Sequence, residues 1–111
     1  MRALLFIATL ALANPALSAT APAWTTLADC SAAYEVNAAI KDPTRSPTMA
    51  GDMAAVAADY HKAAVRSLSL AKPIIQAESA VTSRIVDTKP RFAGMTRTRL
   101  DQVINACPQI G

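Results

Sequence analysis

Cys30 and Cys107 are the residues whose chemistry is most constrained by their spacing. A redox-active pair is expected as Cys-x-x-Cys, so that one sulfur can resolve the other locally. Here the two lie 77 positions apart, a separation that suits a structural bridge. His61 is the only histidine and stands next to Tyr60 and two residues after Asp59. A carboxylate-oriented general base would need Asp59 and His61 on one face, but on a helix they diverge by about 200°. Zinc would need further ligands at short spacing, and haem attachment a Cys-x-x-Cys-His. The sequence offers neither.

Asp52 and Asp59 share a helical face, yet two turns place them roughly 10 Å apart along the axis, too far for an acid–base pair. Met49 and Met53 could serve as soft metal ligands, but Val56 and Tyr60 continue the same stripe, which reads as core. No catalytic, metal-binding or cofactor-binding set emerges, and the chain reads as a non-enzyme.

The remaining chemistry is cationic. Arg84, Lys89, Arg91, Arg97 and Arg99 form the densest basic stretch and are the candidate interaction surface. From Trp24 to Tyr60 five acids face two bases, whereas from His61 onward eight bases face three acids. Such a division can steer an anionic partner, or the halves can neutralise each other by packing. Phe92 is the only aromatic among these bases, too few for a base-stacking platform, and nucleic acid is not an expected partner.

The beginning of the chain says where this surface would act. Arg2, the apolar run Ala3 to Leu12, the break at Asn14-Pro15 and the small residues Ala16, Ser18 and Ala19 have the layout of a secretory signal peptide. Cleavage after Ser18 or Ala19 is expected, with residues 1–19 the leader and residues 20–111 a single domain. The apolar run is well short of the ~20 residues that span a bilayer. After cleavage the chain is expected not to be transmembrane. Leu27-Ala28-Asp29-Cys30 resembles a lipoprotein box, but the acid before the cysteine argues against it. Export delivers both cysteines to an oxidising compartment, periplasmic or extracellular, where a disulfide is expected.

The elements that position these residues read as helices. Thr26 to Asp29 has the form of a capping box, and an apolar arc containing Leu27, Cys30, Ala33, Tyr34 and Asn37 runs to Lys41, with Ser31, Glu35 and Ala39 opposite. Ser46-Pro47 starts a second helix, to about Ala71, with Met49, Met53, Val56, Tyr60, Ala64 and Leu68 as its stripe. A third follows Pro73, although Ala80 to Val86 is β-branched enough to suggest a strand. Lys89-Pro90 is expected to end it, leaving Phe92, Thr96, Leu100, Val103, Ile104 and Cys107 to one face of a last helix.

The expected fold is all-α: a small antiparallel bundle of three to four helices, stapled by Cys30 and Cys107. The expected function is an interaction module of the cell envelope that binds another protein or an anionic envelope component. The alternative is a stress- or acid-protective chaperone. That alternative rests on a layout similar to small helical periplasmic acid-stress chaperones with one disulfide, without a shared motif.

Overall fold

In the computed structural model, residues 21–110 are described, and the leader-like segment lies outside them. Four helices account for their regular structure: α1 (Trp24–Ala38), α2 (Pro47–Leu68), α3 (Ile74–Ala93) and α4 (Arg97–Asn105). No strand occurs among the described residues, and Ala80 to Val86 is helical.

Helix α1 is apolar or small nearly all the way round, and it takes the central position. Leu27, Ala28, Cys30, Ser31, Ala32, Ala33 and Asn37 are buried on it, because α2, α3 and α4 all pack against it. Its few charged side chains, Asp29 and Glu35, lie toward α3, where Arg84 and Lys89 meet them. Ser31, assigned to an outer face from periodicity, is fully buried, and its hydroxyl donates to the Ala57 carbonyl of α2 at 2.7 Å. The expected capping box does not form. Ala23 is the N-cap without a side-chain bond, Trp24 opens the helix, and the Asp29 carboxylate turns to Arg84.

Cross-helix partners give the directions. Ser31–Ala57 and Asn37–Met53 pair with opposed numbering, so α2 runs antiparallel to α1. Asp29–Arg84 and Glu35–Lys89 pair with numbering in step, so α3 runs parallel to α1. Cys30–Cys107 and Asp42–Arg97 bring α4 back down. Consecutive helices are therefore antiparallel, but they surround α1 instead of occupying the corners of a square.

Ser46 caps α2 as its sequence suggests, accepting from the Met49 amide at 3.1 Å ahead of Pro47. The buried face of α2 is Ala57, Tyr60, Ala63, Ala64, Val65 and Leu68. Met49 is exposed and Met53 only half-buried, because the 22-residue α2 outruns the 15-residue α1 at this end. The turn between them is fixed by polar contacts. Arg45 donates to both the backbone and side-chain oxygens of Asn37, whose amide donates to the Met53 sulfur at 3.0 Å. Thr44 donates twice to Asp42, holding that carboxyl below its ordinary range, with Arg97 and Arg45 adding to the effect.

Lys89-Pro90 does not end α3, which continues through Pro90 to Ala93. Phe92 thus belongs to α3, completing a buried stripe of Ala77, Val81, Ile85, Thr88 and Phe92. The helix tolerates the proline because it sits in an exposed position near the end. Thr96 caps α4 by accepting from the Arg99 amide at 3.2 Å, and Leu100 anchors it.

Candidate functional site

The disulfide links Cys30, in the body of α1, to Cys107, two residues past α4, with their α-carbons 6.0 Å apart. It lies in the core and closes the bundle. Beside it Tyr34 and Tyr60 stack with ring centres 5.4 Å apart, and the Tyr60 hydroxyl donates to the Pro108 carbonyl at 2.6 Å. Burial, and secondarily Tyr34, pushes the Tyr60 phenol above its ordinary value. A buried phenol held neutral in this way acts as a strut for the segment after α4.

The five predicted cations divide into two groups. Arg84 grips Asp29 through two nitrogens, at 2.8 and 2.9 Å, and this hydrogen bonding raises the guanidinium further above its already high ordinary value. Lys89 meets Glu35 at 3.0 Å. Arg97 lies 3.7 Å from Asp42 and 3.8 Å from Asp101. These three satisfy acids, two of them on α1, and join the basic half of the chain to the acidic half.

Arg91 and Arg99 have no carboxylate within ion-pairing distance among the described residues. Both line one cleft of about 540 Å³ between α1, α3 and α4. The Arg91 guanidinium stands 5.0 Å from the centre of the Phe92 ring, where cation–π attraction holds it. Met95 and Val103 add apolar wall, and Cys30 contributes from α1. Asp29 also borders the cleft, but both its oxygens are occupied by Arg84. The cleft therefore presents two uncompensated guanidinium groups over an apolar lining.

Continuation of α3 through Pro90 explains this pairing. It places Arg91 and Phe92 on the last turn of α3, while Arg99 occupies the first turns of α4 across the short Gly94–Thr96 connection. Met95, whose role is not evident from periodicity, lies in that connection and reaches the cleft.

A larger concavity of about 950 Å³ opens between α1, α2 and the end of α3, with Ala39, Ala54 and Ala58 among its walls. Alanine pairs suggest close helix packing, and Ala32, Ala33, Ala63 and Ala64 do pack closely. On the overhanging part of α2 the same residue leaves a groove. His61 borders this groove, whereas Asp59 lines a separate hollow with Ile110, so the two do not meet. No group of three or more His, Cys, Asp or Glu side chains that could hold a metal occurs among the described residues. Trp24 is half-buried and packs against the core.

No described helix is long and apolar enough to cross a membrane. Comparison with protein-family models, curated proteins and solved structures finds no match to this chain.

Proposed function

We propose that this chain is a small, exported, non-enzymatic binding module of the cell envelope that engages an anionic component through the cleft between α1, α3 and α4. The observation that carries this reading is the separation of the five cations. Arg84, Lys89 and Arg97 are held by acids, whereas Arg91 and Arg99 share an apolar cleft without such partners among the described residues. Cations left uncompensated beside apolar surface suit recognition of an anion more than they suit folding.

Export is part of the same proposal. Residues 1–19 carry the leader layout, the disulfide is compatible with an oxidising compartment, and the periplasm or the extracellular space is the expected site of action. Intact-mass measurement on exported protein should find it beginning at Ala19 or Thr20. A mass retaining the leader, or carrying a diacylglyceryl group on Cys30, would refute this.

The binding reading is tested by retention on phosphatidylglycerol vesicles against phosphatidylcholine vesicles as salt rises. The parent should be retained on the anionic vesicles at low salt and released as the Debye length falls toward ~8 Å. Arg91→Gln/Arg99→Gln should release at lower salt. Retention indifferent to both salt and the double substitution would remove this reading.

A chaperone-like alternative rests on a different observation. Leu70, Ile74 and Ile75, at the α2–α3 turn, are 90%, 56% and 80% exposed, an apolar cluster that a soluble domain usually covers. Suppression of client aggregation at low pH that disappears on Leu70→Ser/Ile75→Ser would favour it.

A further inference from the structure

We infer that the cleft between α1, α3 and α4 takes a single-chain anionic amphiphile, with its head group between Arg91 and Arg99 and its chain along Met95 and Val103. This rests on the anionic-binding reading above and narrows it from an anionic component to one chemical class.

The number of unpaired cations in this cleft favours a small anionic head group over an extended polyanion. A polymer of negative charges gains from a long array of cations, each exchanging a counterion. Here the array is interrupted, because Arg84, Lys89 and Arg97 are committed to Asp29, Glu35 and the Asp42–Asp101 pair. Two guanidinium groups remain in the cleft, enough to bind one carboxylate or phosphate by charge-assisted hydrogen bonds.

The rest of the cleft is unsuited to a purely polar anion. Phe92 is 2% exposed and its ring already supports the Arg91 guanidinium, which fixes one cation at the apolar wall. Met95 and Val103 are half-buried, and Met is the side chain best able to reshape around an alkyl chain. Ala106 and Thr26 at the edge are short, so the cleft stays open to solvent along its length. Its volume of about 540 Å³ falls within the range of small-molecule sites, which combine apolar walls with a few polar anchors. An amphiphile satisfies both halves of the lining. Neither a free inorganic anion nor an alkane does.

Isothermal titration calorimetry on the mature, disulfide-bonded protein tests this with octanoate, decanoate and dodecanoate below their micellar concentrations. Affinity should rise about fourfold per methylene until the cleft is filled. Monoacyl phosphatidylglycerol of the same chain length distinguishes a phosphate head group from a carboxylate. Binding of either supports the assignment and identifies the source of the head group. Arg91→Gln/Arg99→Gln should weaken dodecanoate at least tenfold with an unchanged circular dichroism spectrum. Lys62→Gln/Arg66→Gln, which removes the same charge from the exposed side of α2, should not. Dodecyltrimethylammonium binding as tightly as dodecanoate, or equal losses in the two double variants, would overturn the inference. If no single-chain amphiphile binds but vesicle retention still falls with Arg91→Gln/Arg99→Gln, the amphiphile assignment fails while the anionic-binding reading survives. Absence of amphiphile binding together with retention that ignores both salt and those substitutions removes both.

Discussion

Arg84 of α3 and Asp29 of α1 are joined by two parallel hydrogen bonds, Nε to Oδ1 at 2.8 Å and a terminal nitrogen to Oδ2 at 2.9 Å. This bidentate contact fixes the register of two parallel helices and uses the carboxylate that a capping box would have claimed. The side chains remain 39% and 23% exposed, so solvent screens the pair. Its contribution is about 1 kcal/mol, at the upper end for a partly exposed pair because the geometry is bidentate. Arg84→Ala and Asp29→Ala should each lower the urea midpoint, and the double variant should lose less than their sum. Additive losses in that cycle would show that the two residues act independently.

Tyr60 gives the fold an alkaline limit. Burial raises its phenol above the ordinary 10.0, so the folded chain holds that proton more tightly than the unfolded chain does. The stability this provides is complete below about pH 10 and is lost as pH rises through the folded value. Tyr60→Phe should flatten the alkaline decline and remove the bond to the Pro108 carbonyl, lowering stability near neutrality by about 1 kcal/mol. Denaturation from pH 7 to 11 checks both, and parallel curves for parent and variant would count against the phenol.

Helical class and the disulfide pairing were legible because each rests on a local or topological rule. Ser46-Pro47 signals a helix start, and two cysteines too far apart for a local redox pair invite one structural bond. Helix packing was less legible. Periodicity puts Ser31 on the outer arc of α1 with Glu35, but α2 packs over Ser31 and buries it, while Glu35 stays partly exposed. The apolar stripe of α2 predicts burial about one turn further toward its start than the structure shows, since nothing in its own sequence records where α1 ends. The cleft was half-visible. Its two arginines are in the candidate surface, but three of the four ion pairs that set them apart depend on acids more than 50 residues away in sequence.

Pro90 marks where a breaker rule fails. It lies within α3, has no amide proton to donate, and its position is exposed. Pro90→Ala restores a donor at a site whose backbone is already helical. The gain in the folded helix exceeds the added entropy of the unfolded chain. Stability should therefore rise by about 1 to 2 kcal/mol, read as a higher urea midpoint at unchanged slope. A lower midpoint would mean that the ring itself packs usefully against Val86 and Ala93, which border the same hollow.

The disulfide carries more of the docking of α4 than of any other element. α4 has nine residues, one of them fully buried, and its main packing is against α1. Outside that contact it is tied down by the Arg97–Asp42 ion pair at its start and by the Cys30–Cys107 bond and the Tyr60–Pro108 hydrogen bond just beyond its end. For a loop of this length the chain-entropy effect is about 4 to 5 kcal/mol, an upper figure because unfolded chains retain structure. Cys107→Ser should lower the thermal midpoint by more than about 10 °C, and Cys30→Ala should do so at least as strongly because it also leaves a void in the core. The loss should be uneven. Amide exchange over residues 97–105 should accelerate in Cys107→Ser before that over residues 57–68, since α2 keeps its contacts with α1 and α3. Because Arg99 and Val103 belong to α4, the same variant should also lose dodecanoate binding at temperatures where α2 remains protected. Uniform acceleration across all four helices would instead mean that the bundle opens as one unit and that the staple supports the whole core.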